Sequence, residues 1–441
     1  MEIAEAAPIT FSGMDGWEPP PVGSPAETGL DSGVLSDLAL KLMYFRGQIT
    51  GSELAIEMGL SFHTVIQPIM SFLRREEMCD VKGSTGLNAA TFQYVITVKG
   101  AERAREQLER STYTGIAPIP WEQYIESIVA QGQRKLRVNP QMMQQALSHL
   151  VLSERLVKKI GPAVNSGKSL FLYGPPGNGK TTIAEGIGKM ILGNDMYIPY
   201  AIDIDGQIVK MYDEITHVAI KEDQSSGRQK PLGSSANEDK RWIKIKRPVI
   251  MVGGELTLDG LDLIYDPTNR FYEAPFQMKA NGGMLLIDDF GRQQIRPRDL
   301  LNRWIVPMEK NVDFLALHTG RKIEVPFAVL LVFCTNLPPG DLVDEAFLRR
   351  IRHKIEVISP TFDEYRDIFK IFCEKNNITF DEQATRYLLQ EHYVKKNRKL
   401  RGNHPRDIIE QILDISSYLG TEPRLSKEFL DQAVEAYFVD L

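Results

Sequence analysis

The run GPPGNGKT, from Gly174 to Thr181, restricts what this 441-residue chain can fold into more than any other feature. It follows an apolar stretch at 170–173 and opens a helix-forming one at Lys180, so a strand, a tight turn and a helix are expected in succession. Gly174, Gly177 and Gly179 let the backbone curl so that several amide N–H groups point inward. The helix beginning near Lys180 adds the positive end of its dipole to the same concavity. Such a loop cradles phosphates. Gly174, Pro175, Pro176, Gly177, Asn178 and Gly179 would form the cradle, with Lys180 reaching the β- and γ-phosphates and Thr181 and Thr182 on the first helical turn. The expected ligands are ATP and a Mg²⁺ ion that takes the Thr181 hydroxyl as one of its oxygens.

A phosphate loop needs a carboxylate at the end of a neighbouring strand, and GGMLLIDD at 282–289 supplies two. Asp288 is expected in the Mg²⁺ shell, and Asp289 is expected to orient and deprotonate the attacking water. Short apolar runs at 170–173, 197–202, 284–287 and 328–334 alternate with helical stretches, which predicts a parallel α/β sheet. Residues 221–241 are almost wholly polar and read as an exposed loop. From 361 onward the pattern is helical, with one stripe at Tyr365, Ile368, Phe369 and Phe372 and another at Phe429, Leu430, Ala433, Val434, Tyr437 and Phe438.

These residues together resemble an AAA+ ATPase module spanning about 139–441. In that family the acidic strand normally ends Asp-Glu, whereas this one ends Asp-Asp. The shorter carboxylate of Asp289 sits further back, and a misplacement of about 1 Å can cost on the order of 10²-fold in rate. The resemblance implies an ATP hydrolase whose rate Asp289 leaves open. Asn336, closing the run Phe333-Cys334-Thr335-Asn336, resembles the polar sensor residue that helps place the water. The run DEAFLRRI at 344–351 resembles the segment carrying the arginine finger, so Arg349 or Arg350 would reach the ATP of a neighbouring subunit. The run GNHPRD at 402–407 resembles the second sensor, with Arg406 touching the γ-phosphate from a helical lid.

A helix at 299–308 and a strand pair at 312–326 turning at His318, Thr319, Gly320 and Arg321 precede the first sensor. A β-hairpin in that position resembles the pre-sensor-1 branch of the family, and residues 254–283 loosely resemble the insert of MoxR-type members. The hairpin and the segment Val209-Lys210-Met211-Tyr212 are then candidate substrate contacts, with a structural insert as the equal alternative. The family implies self-association into a ring, a hexamer, and work on a protein partner.

Upstream, residues 34–110 read as helix, helix, turn, helix and β-hairpin, the order of a winged helix. Its second recognition-type helix opens Ser61-Phe62-His63-Thr64 and carries no Lys or Arg before Arg74 and Arg75. The stretch holds nine basic and nine acidic side chains. Without a positive stripe the counterion-release drive toward DNA is weak, so protein docking or intramolecular packing is favoured over DNA reading. The fold expected is therefore α/β, a P-loop parallel sheet with a helical lid (AAA+), plus a small N-terminal α+β winged-helix domain. The divisions are a disordered acidic tail at 1–33, the winged helix at 34–110, a linker at 111–138 with a short helix near Trp121, the ATPase core at 139–359 and the lid at 360–441. Competing functions are a DNA-acting or transcription-regulating ATPase and a nucleotide-gated switch with little turnover.

Composition removes other classes. Six acidic and no basic residues fall in 1–33, and the remainder balances at 52 basic against 52 acidic. Cys79, Cys334 and Cys373 lie far apart without metal spacing, and the seven histidines show no ligand pattern. The longest apolar run, 327–334, has eight residues, far short of a membrane span. The expected location is the cytoplasm, without membrane insertion.

Overall fold

The computed structural model describes residues 17–84, 86, 88–132, 138–220, 238–342 and 348–438. An N-terminal unit begins with α1 (Ser32–Arg46), β1 (Gln48–Thr50), α2 (Gly51–Met58) and α3 (Gln67–Arg75). A capping box starts α2, where Thr50 and Glu53 satisfy each other's backbone N–H. A π-helical turn at Phe62–Ile66 precedes α3, and Pro68 sits in the first turn of that helix, where its missing N–H costs no bond. Strands β2 (Cys79–Ser84) and β3 (Phe92–Ile96) form a hairpin, with β1 on the other side of β3, before α4 (Val98–Arg110) closes the unit. Leu35, Leu38, Leu42 and Met43 of α1 all enter its core, as their spacing predicts.

That core also takes Val22 and Leu30, which fall in the segment expected to be a disordered tail. Residues 17–33 instead form an ordered strap. Trp17 stacks edge-on against Tyr197 and Trp242, Thr28 is fully buried, and Thr64 Oγ1 donates to the Val22 carbonyl. Its Gly/Pro content is compatible with order because few buried side chains suffice to hold a strap that follows an existing surface. The expected tail at 1–16 lies outside the described residues.

The chain continues through β4 (Ile119–Pro120) and α5 (Trp121–Gly132), the helix expected near Trp121, which runs for twelve residues. The Asn139-Pro140 start, an N-cap with Pro at the first helical position, predicts helix to about 160, but the chain divides there into α6 (Pro140–Ala146) and α7 (Glu154–Ser166), because Ser153 starts a new cap by accepting from Leu156 N. Next come β5 (Leu170–Tyr173), α8 (Lys180–Leu192), β6 (Asp195–Pro199), β7 (Ala201–Ile204), β8 (Gln207–Lys210), β9 (Trp242–Lys246) and β10 (Val249–Val252). They are followed by β11 (Ile264–Asp266), β12 (Phe271–Glu273), α9 (Phe276–Lys279), β13 (Met284–Ile287) and α10 (Pro297–Lys310). The last strands are β14 (Val312–Ala316), β15 (Lys322–Pro326), β16 (Leu330–Thr335) and β17 (His353–Glu356), with α11 (Pro339–Leu342) after β16. Helices α12 (Phe362–Lys375), α13 (Glu382–Leu388), α14 (His404–Leu419) and α15 (Lys427–Tyr437) complete the chain.

The central sheet is wholly parallel, in the order β10-β13-β16-β5-β17. Leu170, Leu172, Leu286 and Val332 pack on one face against α8, while Phe171, Leu285, Ile287 and Phe333 pack on the other against Trp304 of α10. One expected strand is misplaced. Residues 197–202 divide between β6, which pairs with β9, and β7, which joins a second mixed sheet ordered β11-β12-β8-β7-β4. The missing parallel strands are β10 and β17.

Two further expectations are corrected here. Val209 and Met211 are fully buried in the core beneath the second sheet, so they cannot contact a substrate. The hairpin forms as expected, but His318 near its tip stacks on Tyr265 and hydrogen-bonds to the Tyr272 hydroxyl, which ties the turn down. The polar stretch at 221–241 is not all exposed either. Residues 221–237 lie outside the described residues, but Asp239 and Arg241 are fully buried and paired at 2.8 Å. Arg241 also donates to the Thr28 and Pro118 carbonyls, which joins the strap and the linker to the start of β9. A buried charge is tolerated only in such a fully satisfied set.

The four C-terminal helices share a core of Tyr365, Phe369, Ile408, Ile412, Phe429 and Leu430. Within it the Tyr365, Tyr393 and His404 side chains form a hydrogen-bonded chain, with Tyr393 Oη 3.0 Å from His404 Nδ1. Burial pushes the His404 pKa down to about 4. The unfolded chain, titrating near 6.5, therefore binds a proton that the folded chain refuses, so stability is present above pH 6.5 and is lost as pH falls toward 4. The loss is on the order of 3 kcal/mol. Denaturant titrations at pH 7 and pH 4.5 should show wild type losing more stability than His404→Gln; equal losses would remove His404 as the cause.

Candidate active site

The glycine-rich turn leaves β5 at Tyr173 and enters α8 at Lys180. Gly177 has φ 78°, and a Cβ there would stand 2.0 Å from Asn403 Oδ1, so only glycine permits the lid to approach this closely. Gly174, at φ 138°, likewise passes 2.4 Å (for a Cβ) from the Val357 carbonyl that follows β17.

Lys180 is 7% exposed. Its ammonium donates to the Gly174 carbonyl at 3.0 Å, the Pro175 carbonyl at 2.9 Å and Asn336 Oδ1 at 2.6 Å. Burial lowers its pKa and Arg401 lowers it further, while Asp288 and Asp289 act in the opposite sense. Thr181 Oγ1 donates to the Asp288 carboxylate, 3.0 Å from each oxygen. Asn336 Nδ2 donates to Asp289 Oδ1 at 3.2 Å. The strand order explains this convergence. Strand β16 lies between β5 and β13, so Asn336 at its end stands between the lysine and the acidic pair.

Asp289 is exposed and holds φ 48°, a left-handed conformation that Asp and Asn adopt more readily than most residues. The turn that carries it is stitched to β16. Phe290 N donates to the Cys334 carbonyl, Thr335 Oγ1 donates to the Phe290 carbonyl, and Gln293 Nε2 donates to the Asp288 carbonyl. Gln293 has no motif to announce it and was not legible in the sequence.

The lid meets the turn through residues 401–403. Asn403 N donates to the Gly177 carbonyl at 2.8 Å, and Gly402 N to Asn178 Oδ1 at 3.2 Å. Arg401 reaches the Pro176 carbonyl at 3.3 Å. Arg406, expected to face the γ-phosphate, instead points along α14, where it pairs with Asp407 at 2.8 Å and Glu410 at 3.7 Å and is 52% exposed. Arg401 is thus the lid cation beside the turn, and it lies one residue before the run that resembles a sensor. Thr182 follows Thr181 on the first turn of α8, half-buried.

Arg349 and Arg350 stand elsewhere. The Arg350 carbonyl accepts from Ser169 Oγ, just before β5, and its guanidinium pairs with Glu309 at 2.6 Å. Both arginines therefore lie at the end of β5 opposite the turn, and neither reaches Lys180 of its own chain. Residues 344–347, the first part of the expected finger segment, lie outside the described residues.

Among the described residues no cluster of three His, Cys, Asp or Glu side chains could hold a metal unaided. The Thr181 hydroxyl and Asp288 carboxylate do form a hard-oxygen pair, the donor set that suits Mg²⁺ when phosphate and water complete the shell. Cys79, Cys334 and Cys373 are all buried free thiols. No described helix is long and apolar enough to cross a membrane.

Fold and site together define an α/β protein with a phosphate-loop turn, an acidic strand end and a helical C-terminal unit. Comparison with known proteins adds the following. The family model for a domain of unknown function (DUF8689) matches residues 361–436. A vesicle-fusing ATPase of Dictyostelium discoideum is 46% identical over 54 residues, which is 12% of this chain and 7% of that protein's length. Among solved structures, NtrX from Brucella abortus in complex with ADP is 12% identical with a TM-score of 0.39, covering 65% of this chain and 56% of its own. The RuvB Holliday junction branch migration motor of Thermotoga maritima is 14% identical with a TM-score of 0.38, covering 66% and 70%.

Proposed function

We propose that this chain is an oligomeric AAA+ ATPase that couples ATP binding and hydrolysis to remodelling or assembly of a protein partner. The observation that carries the reading is the convergence of Lys180, Thr181, Asp288, Asp289 and Asn336 at the ends of three adjoining parallel strands. In this reading Lys180 leaves the Gly174 and Pro175 carbonyls to neutralise β- and γ-phosphate oxygens, while the loop amides and α8 hold the rest of the chain of phosphates. Thr181 and Asp288 would hold Mg²⁺, which supplies charge neutralisation at the phosphates. Asp289 accepts the proton of the attacking water, and Asn336 fixes that carboxylate through Nδ2. Arg349 or Arg350, at the far end of the sheet, would serve the site of the next subunit.

The 34–110 unit is read as a winged helix. Its hydrogen bonds to the rest of the chain favour a docked role over a freely reading one: Ala117 N donates to the Met58 carbonyl and Arg270 to the Glu109 carbonyl. Light scattering with and without ATP tests the assembly; a strict monomer with ATP bound contradicts the ring. The lid cation is tested separately. Arg401→Ala should weaken ATP binding on the order of tenfold, the worth of one charge-assisted contact, while Arg406→Ala should leave it within about twofold. The reverse ranking would return the role to Arg406.

A further inference from the structure

Away from the nucleotide site, an open groove of about 700 Å³ lies between the strap, α5, the β7–β8 turn and the β14–β15 hairpin. That volume is within the usual range of ligand sites, roughly 300–1,000 Å³. One wall is apolar, built by Trp121, Ile125 and Val129 of α5. The rest is unbalanced in charge. Five carboxylates line it, those of Asp31, Glu122, Asp203, Asp205 and Glu324, against the cations of Arg321 and Lys322. Arg321 already pairs with Asp205, and among the described residues Glu122, Asp203 and Glu324 have no ion-pair partner. Burial raises the Asp203 carboxyl pKa, and the nearby Glu122 carboxylate raises it further. Carboxylates without ion-pair partners beside an apolar wall form a surface that a cation on an apolar stem would complement.

We propose that this groove docks a segment of the protein partner that carries Lys or Arg next to an aliphatic residue, with the basic group between Glu122 and Asp203 and the aliphatic one on Trp121. This rests on the reading that the chain acts on a protein. The sign of the charge argues against nucleic acid at this site. The wall formed by β15 continues through Phe327 into β16 and so ends at Asn336, which gives the groove a covalent route to the nucleotide site.

The test uses a fluorescein-labelled twelve-residue peptide of alternating Lys and Leu, a Glu-Leu peptide as control, and fluorescence anisotropy on the full chain. Wild type is expected to bind the basic peptide and not the acidic one. Glu122→Gln with Asp203→Asn, and separately Trp121→Ala, should each weaken binding by on the order of tenfold. A control pair on the lid, Glu422→Gln with Glu428→Gln, should leave it unchanged. Asn at 203 keeps the Oδ1 that accepts from Gly206 N, so the turn is preserved. No binding by wild type, equal binding by the groove variants, or an equal loss in the lid control overturns the proposal. ATP binding measured on the same samples separates the two readings: an inert groove with ATP bound removes the groove alone, whereas failure of wild type to bind ATP removes the ATPase.

Discussion

Lys180→Ala is expected to abolish measurable ATP binding, a loss of at least on the order of 10²-fold, without unfolding the core. The ammonium is nearly buried yet makes all three of its hydrogen bonds to groups that line the turn, two backbone carbonyls and Asn336. Among the described residues it is the one cation in contact with both the loop and the strand end beside it. Hydrogen bonds between charged groups are worth roughly 1.5–3 kcal/mol, and a lysine on two phosphates makes more than one. The truncation also strands Asn336 Oδ1, but that residue is only half-buried and water can replace the ammonium. Titration with a fluorescent ATP analogue, beside a circular dichroism melt, checks both halves. Binding within about threefold of wild type would contradict the assignment.

The second large effect belongs to Asp289. Asp289→Asn should lower ATP turnover by on the order of 10²–10³-fold while leaving ATP affinity within about threefold. The substitution removes only the basic oxygen. Asn tolerates the left-handed backbone at φ 48° as well as Asp does, and the turn's bonds to Cys334 and Thr335 do not involve this side chain. Asp289→Glu is the informative companion. Glu extends the carboxylate to the length usual in AAA+ proteins, but its longer side chain lacks the local hydrogen bonding that makes the left-handed region acceptable for Asp. A large rise in turnover would favour the switch reading, in which wild type hydrolyses little. A fall would show that the backbone here is matched to the shorter acid. Phosphate release under single-turnover conditions distinguishes them.

Much of this site was legible because its chemistry imposes short-range spacing. A phosphate loop must follow a strand and start a helix, an acidic pair must end an apolar strand, and 170–181 and 284–289 satisfy those demands locally. What escaped is non-local. Strand β10 is four residues set between basic Arg247 and a Gly-Gly pair, and β17 holds one apolar residue, Ile355, among His353, Lys354 and Glu356, so neither resembles a buried parallel strand on its own. The second sheet pairs residue 119 with 202 and 272 with 209, contacts that no periodicity encodes. The strap at 17–33 was hidden by its Gly/Pro composition, and the Asp239–Arg241 pair by a polar neighbourhood that resembles solvent-facing loop. Arg401 was missed because motif spacing pointed to Arg406, and only the path of the chain into α14 decides which guanidinium faces the turn.

The trans arrangement is the claim on which the whole account depends, and mixing subunits tests it most directly. Asp289→Asn chains lack the cis base but keep Arg349 and Arg350; Arg349→Ala/Arg350→Ala chains have the reverse defect. Each alone should release phosphate at least on the order of 10²-fold more slowly than wild type, given what an arginine finger contributes. Mixed in equal amounts, they should recover a substantial fraction of wild-type turnover, because some sites then combine an intact base with an intact arginine from the next subunit. A mixture no more active than its two components would contradict the account.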